Sequence, residues 1–154
     1  MKARTLAFSL AMFFTAVAVV FAANPHMGTW KLNEAKSKLP AGAPKNNTVV
    51  YEAVGDDVKV TVDGVDRNGS PAHNEWTGKF DGKDYPVTGD PDSDTRAYKV
   101  INARTLALTN KKNGKVTLTG RITVSADGKS RTVTTTGTDA KGKKIMTTAV
   151  YDKQ

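Results

Sequence analysis

Short glycine turns punctuate this chain. Gly55-Asp56, Asn68-Gly69, Asp81-Gly82, Asn113-Gly114 and Asp127-Gly128 each stand between runs rich in valine, leucine, isoleucine and threonine. Asn-Gly and Asp-Gly suit tight hairpins, because both central residues of such a turn must tolerate positive φ. A hairpin reverses the chain within two or three residues, so consecutive runs must lie side by side and antiparallel. Parallel pairing would need crossovers of a dozen residues or more, and the intervals here leave no room for them.

The runs carry the matching period. Val58, Val60 and Val62 alternate with Lys59, Thr61 and Asp63, as expected of a strand with one buried face. Leu106 and Leu108 repeat the pattern, and Val116, Leu118, Ile122 and Val124 share a face across a longer run with Gly120 between them. Abundant threonine agrees, since β-branched side chains suit a pleated surface. Nine or ten strands are expected, over about 28–33, 47–54, 57–65, 71–80, 84–88, 95–101, 104–111, 115–125, 130–138 and 144–152. One short helix is expected as well, with Asn33 capping Glu34 to Lys38 before Pro40 ends it.

The fold class is therefore all-β, an antiparallel up-and-down meander of eight to ten strands. Closing the sheet into a barrel protects the edges of such a meander, and Gly120 would allow the bend that closure requires. A two-sheet sandwich is the alternative, because it shows the same alternation. The expected inward set is Trp30, Val58, Val60, Val62, Trp76, Phe80, Leu106, Leu108, Val116, Leu118 and Ile122.

The first residues differ in kind. Lys2 and Arg4 precede an 18-residue run, Leu6 to Ala23, that is apolar apart from Ser9 and Thr15; Asn24-Pro25 breaks it. This reads as a secretory signal peptide over 1–22, with Val20-Phe21-Ala22 as the cleavage triplet and one domain over 23–154. No stable membrane insertion is expected after its removal. The chain has no cysteine, which excludes disulfides and a lipid-modified cysteine. Small secreted animal domains are often stapled by disulfides, so the expected location is the bacterial periplasm or the exterior. The net charge of +8 falls by two, to +6, when Lys2 and Arg4 are removed. The lysines are spread through the turns, as on a solvated surface, so no specific nucleic-acid partner is expected. Arg121 and Arg131, on neighbouring strands, are expected to serve as surface partners of acidic loops.

Gly28-Thr29-Trp30-Lys31-Leu32 resembles the first-strand motif of lipocalins and fatty-acid-binding proteins. The resemblance implies a barrel whose base Trp30 helps to close. Fatty-acid-binding proteins hold their ligand's carboxylate with an Arg-x-Tyr pair on the last strand. The matching stretch here is Ala149-Val150-Tyr151, without the arginine, and no helical lid segment follows Trp30. The mature chain is also similar to small exported bacterial proteins of unassigned function that share Gly-Thr-Trp-Lys-Leu, Asp-Gly-Lys-Asp-Tyr-Pro-Val and a threonine-rich last hairpin.

An eight-stranded barrel is just wide enough to be filled by side chains or to hold one small ligand. Trp30, Trp76, Phe80, Tyr98 and Tyr151 are the candidate ligand-binding residues, because rings with a polar tip suit a cavity wall. His26 and His73 do not have the spacing of a metal site, and Asp90, Asp92 and Asp94 lack the glycine and late glutamate of a calcium loop. That loop reads as exposed and acidic. There is no nucleophile elbow, catalytic triad or phosphate loop. The expected role is non-enzymatic, without cofactor or metal: binding of a small apolar or amphipathic molecule in the cell envelope. The alternative is a filled-core structural or interaction protein.

Overall fold

The computed structural model describes residues 24–139 and 141–154, so the expected signal peptide lies outside the described residues. Ten strands follow one another: β1 (Gly28–Lys38), β2 (Lys45–Val54), β3 (Asp57–Val65), β4 (Pro71–Gly78), β5 (Tyr85–Thr88), β6 (Thr95–Asn102), β7 (Thr105–Lys112), β8 (Lys115–Val124), β9 (Ser130–Thr138) and β10 (Lys144–Lys153). Each pairs antiparallel with its sequence neighbours, and β1 pairs with β10 through Trp30↔Lys153, Leu32↔Tyr151 and Asn33↔Val150. The sheet is a closed barrel. A sandwich would leave free edges, and the β1–β10 ladder rejects it.

The hairpin chemistry acts as the sequence indicates. Asn113 and Gly114 both have positive φ, 49° and 76°, the requirement of a two-residue turn. Gly120 is needed for close approach. A Cβ there would lie 2.7 Å from the Thr134 carbonyl oxygen and 3.0 Å from the Thr135 methyl carbon.

Two expectations fail at bulges. The segment after Asn33 is not a helix: β1 runs on to Lys38, and its register steps from Asn33↔Val150 to Lys38↔Thr148. Extra residues are thus accommodated on β1. The capping bond itself forms, since Asn33 Oδ1 accepts from the Lys36 amide at 3.2 Å. Ser37 Oγ then donates to the Asn33 carbonyl at 2.7 Å and accepts from the Val150 amide at 2.9 Å. Closure with β10 takes up the backbone that a helix would have used. Val116 is the second failure. It is 56% exposed, because the β7–β8 register passes from Asn110↔Leu118 to Lys111↔Val116 and leaves Thr117 as the extra residue. A one-residue slip exchanges the faces, so Val116 joins Lys111 outside.

Mid-strand positions on the outer wall include Lys59, Thr61, Asp63, Glu75 and Arg121, with the carboxylates of Asp63 and Glu75 meeting the exposed His73 ring at 2.6 and 3.4 Å. A bilayer-spanning barrel presents an apolar band there instead.

The core is concentrated at one end, the base. Trp30, Val60, Trp76, Leu106 and Val124 are each at most 1% exposed. Phe80 stacks on Trp76 with ring centroids 6.3 Å apart, and Tyr85 meets Trp76 edge-on at 5.8 Å. The N-terminal turn seals this end: Trp30 Nε1 donates to the His26 carbonyl at 2.8 Å, and Lys153 lies 5.0 Å over the Trp30 ring while donating to the Pro25 carbonyl. Trp30 thus closes the base as the resemblance implies. The other end, the mouth, is bounded by the β1–β2, β3–β4, β5–β6, β7–β8 and β9–β10 connections.

Candidate functional site

Above the aromatic base the barrel is not filled. A cavity of about 890 Å³ opens at the mouth, with its rim on the loops around Pro40, Asp66, Asp90 and Asp139. Ligand sites generally occupy about 300–1,000 Å³. Small side chains on the inner faces of β9 and β10 leave space. Thr135 pairs with Thr147, Val133 with Ala149 and Gly137 with Ile145, and all of these line the cavity. One of the Thr135 and Thr147 hydroxyls donates to the other at 2.6 Å, and Val133, Ile145 and Ala149 give the same wall apolar surface.

The five aromatic candidates divide between two levels. Tyr98 and Tyr151 line the cavity, whereas Trp30, Trp76 and Phe80 lie in the base beneath it. Tyr98 joins the levels. Its ring meets Trp76 edge-on at 4.7 Å and Phe80 at 5.6 Å, and it meets Tyr51 from the cavity side at 6.2 Å. Burial pushes the Tyr151 hydroxyl up to about 12, with Arg131 opposing. Burial and the neighbouring Tyr51 push Tyr98 higher still. Both hydroxyls therefore stay protonated at neutral pH and can donate hydrogen bonds.

Two buried arginines also line the cavity, with Arg67 at its rim, and their surroundings differ. Arg96, 6% exposed, is fully engaged. Its Nε donates to Asn110 at 3.1 Å, Nη1 to Asn74 at 3.2 Å and Nη2 to Asp90 at 3.3 Å. Asp90 in turn accepts from the Ser93 hydroxyl and the Asp92 amide. The Asp90–Asp94 loop is thus not uniformly an exposed acidic loop: Asp90 turns inward to neutralise Arg96, and Asp94 accepts from the Asn113 amide at 2.8 Å.

Arg131 corrects the sequence reading outright. It is 2% exposed and lies inside the barrel, paired with Tyr151 across the β9–β10 ladder, while Arg121 alone is on the surface. Its guanidinium carbon sits 4.8 Å from the Trp30 ring centre and 4.9 Å from those of Tyr51 and Tyr151. The signal was present, because Arg131, Val133 and Thr135 alternate on one face. Charge argued for the outside and period for the inside, and period decided.

His26 is likewise buried, at 2% exposed, with an edge-on contact to Phe80. Burial first, then the nearby Arg131 and Lys153 charges, lower its pKa to about 4. Among the described residues no group of three His, Asp or Glu side chains could hold a metal.

The fold and site together define an all-β, ten-stranded closed antiparallel barrel with a ligand-sized cavity. No protein-family model matches the chain, and no curated protein matches it. Two similar solved structures are EF1p2_mFAP2b bound to DFHBI and a redesigned beta barrel, mFAP1, bound to DFHBI. The first is 12% identical, with a TM-score of 0.49, and the match covers 86% of this chain and 97% of that one. The second is 16% identical, with a TM-score of 0.46, covering 86% and 98% respectively.

Proposed function

We propose that this chain is a non-enzymatic, lipocalin-like carrier of a small apolar or amphipathic molecule, exported to the cell envelope. The carrying observation is the 890 Å³ cavity between a sealed aromatic base and an open mouth. A filled-core structural protein would pack the whole interior at crystal-like density. Here only the base does so, and Gly137, Ala149, Thr135 and Thr147 leave room on the inner faces of β9 and β10. The export part rests on the basic, apolar and small-residue succession of the first 22 residues.

Calorimetric titration with dodecanol tests the carrier reading. Wild-type protein binds it, and Val133→Trp, which fills the cavity wall, weakens binding at least about tenfold while the fold is retained by circular dichroism. Absence of binding by the wild type refutes the carrier. Intact-mass measurement of protein from its native host tests export, with loss of about 22 residues expected. Full-length protein in the membrane fraction refutes it.

A further inference from the structure

Arg131 sets a problem that the barrel alone does not solve. Its Nε and Nη1 are buried and have no hydrogen-bond partner among the described residues. Arginine stays charged in proteins, and a buried charge is costly unless it is paired and hydrogen-bonded. The three surrounding rings offer their faces to the cation, which offsets part of that cost but supplies no acceptor for the N–H groups.

No carboxylate of the cavity lining is placed to help. Asp66, Asp90, Asp92 and Asp139 all come from mouth loops. Asp90 is committed to Arg96, and Asp92 faces Arg67 at 3.5 Å on the exposed rim. Lys45, Arg67 and Lys112 stand at the solvated mouth; of the two buried cations in the lining, Arg96 is neutralised and Arg131, at the floor, is not. A purely apolar ligand would leave that floor cation as it is. A ligand with an anionic head would neutralise that charge, with the Tyr98 and Tyr151 hydroxyls on the same lining.

We infer that the ligand is an amphipathic monoanion whose carboxylate sits on Arg131 at the cavity floor, with its apolar tail along the β8–β10 wall toward the mouth. One buried guanidinium without a carboxylate partner matches one negative charge, and arginine pairs favourably with carboxylates. The inference rests on the carrier reading and adds the ligand's charge and orientation to it.

The test compares dodecanoate with dodecanol, which share a tail length and differ in the head, by calorimetry on the full-length protein and on Arg131→Met. Dodecanoate is expected to bind wild type at least about tenfold more tightly than dodecanol, and Arg131→Met to abolish that preference while keeping dodecanol affinity. Carboxyl-labelled dodecanoate bound to wild type is also expected to ionise about one pH unit or more below the free acid, as beside a cation. This NMR titration needs no variant, so it decides the matter even if Arg131→Met does not fold. Equal affinity for the two probes, or a bound carboxyl that titrates at or above its free value, overturns the anion site and leaves the carrier intact. If neither probe binds, both readings fall.

Discussion

His26 makes the stability of this barrel depend on pH in a defined direction. The ring lies in the base seal, 2% exposed, and its two nitrogens have no partner among the described residues. Its pKa falls from the ordinary 6.5 to about 4, through burial first and then the Arg131 and Lys153 charges. Above pH 6.5 the ring is neutral in both folded and unfolded chains and contributes no pH dependence. Between 6.5 and 4 the unfolded chain takes up a proton that the folded one refuses. Stability is then lost at up to about 1.4 kcal/mol per pH unit. The accumulated loss at pH 4 is about 3 kcal/mol, a large part of the 5–15 kcal/mol typical of a domain. Carboxylates titrate over the same range, so the contribution must be isolated by difference. Guanidinium unfolding of wild type and His26→Leu at pH 7.5, 6, 5 and 4 provides that difference. The variant should gain about 3 kcal/mol relative to wild type between pH 7.5 and pH 4. A difference that stays flat within about 0.5 kcal/mol, or an NMR titration of the His26 ring near 6.5, would refute the reasoning.

Three further outcomes follow from the packing. Trp76→Ala should cost about 3–5 kcal/mol in denaturant unfolding, because the ring is 1% exposed and touches Phe80, Tyr85 and Tyr98; a loss below about 1 kcal/mol would contradict the base assignment. Val116→Lys should change stability by no more than about 0.5 kcal/mol, since the bulge at Thr117 turns Val116 outward; a core-sized loss would restore it to the interior. Gly120→Val should lower the midpoint of unfolding, as its Cβ would meet the Thr134 carbonyl at 2.7 Å; an unchanged midpoint would show that β8 and β9 need not approach so closely.

Much of this architecture was legible in the sequence because hairpins are local. The turn dipeptides and the period of two located all ten strands, most to within two residues of the observed ends. They also assigned Trp30, Val60, Val62, Trp76, Leu106 and Ile122 correctly to the interior. The candidate site was less legible. Tyr98 and Tyr151 were singled out as aromatic, but nothing local separated them from Trp30, Trp76 and Phe80, which lie a level lower in the base. Tyr51 and Arg131 were missed as parts of the cavity lining. Arg131 reads from the sequence as a surface partner of acidic loops, because the three rings that enclose it come from the distant β1, β2 and β10.

The sequence by itself determined strand order, direction and the alternation of faces, because each depends on residues a few positions apart. Only the tertiary structure decided closure, the bulges and the depth of each inward residue. The bond between β1 and β10 joins residues more than a hundred positions apart, and no local propensity encodes it. Asn33 shows the boundary between the two. Its side chain makes the capping bond that its local sequence favours, yet the segment is held in β1 by a partner strand at the far end of the chain. The cavity has the same origin, since it exists where closure sets the small side chains of β9 and β10 above the aromatic floor.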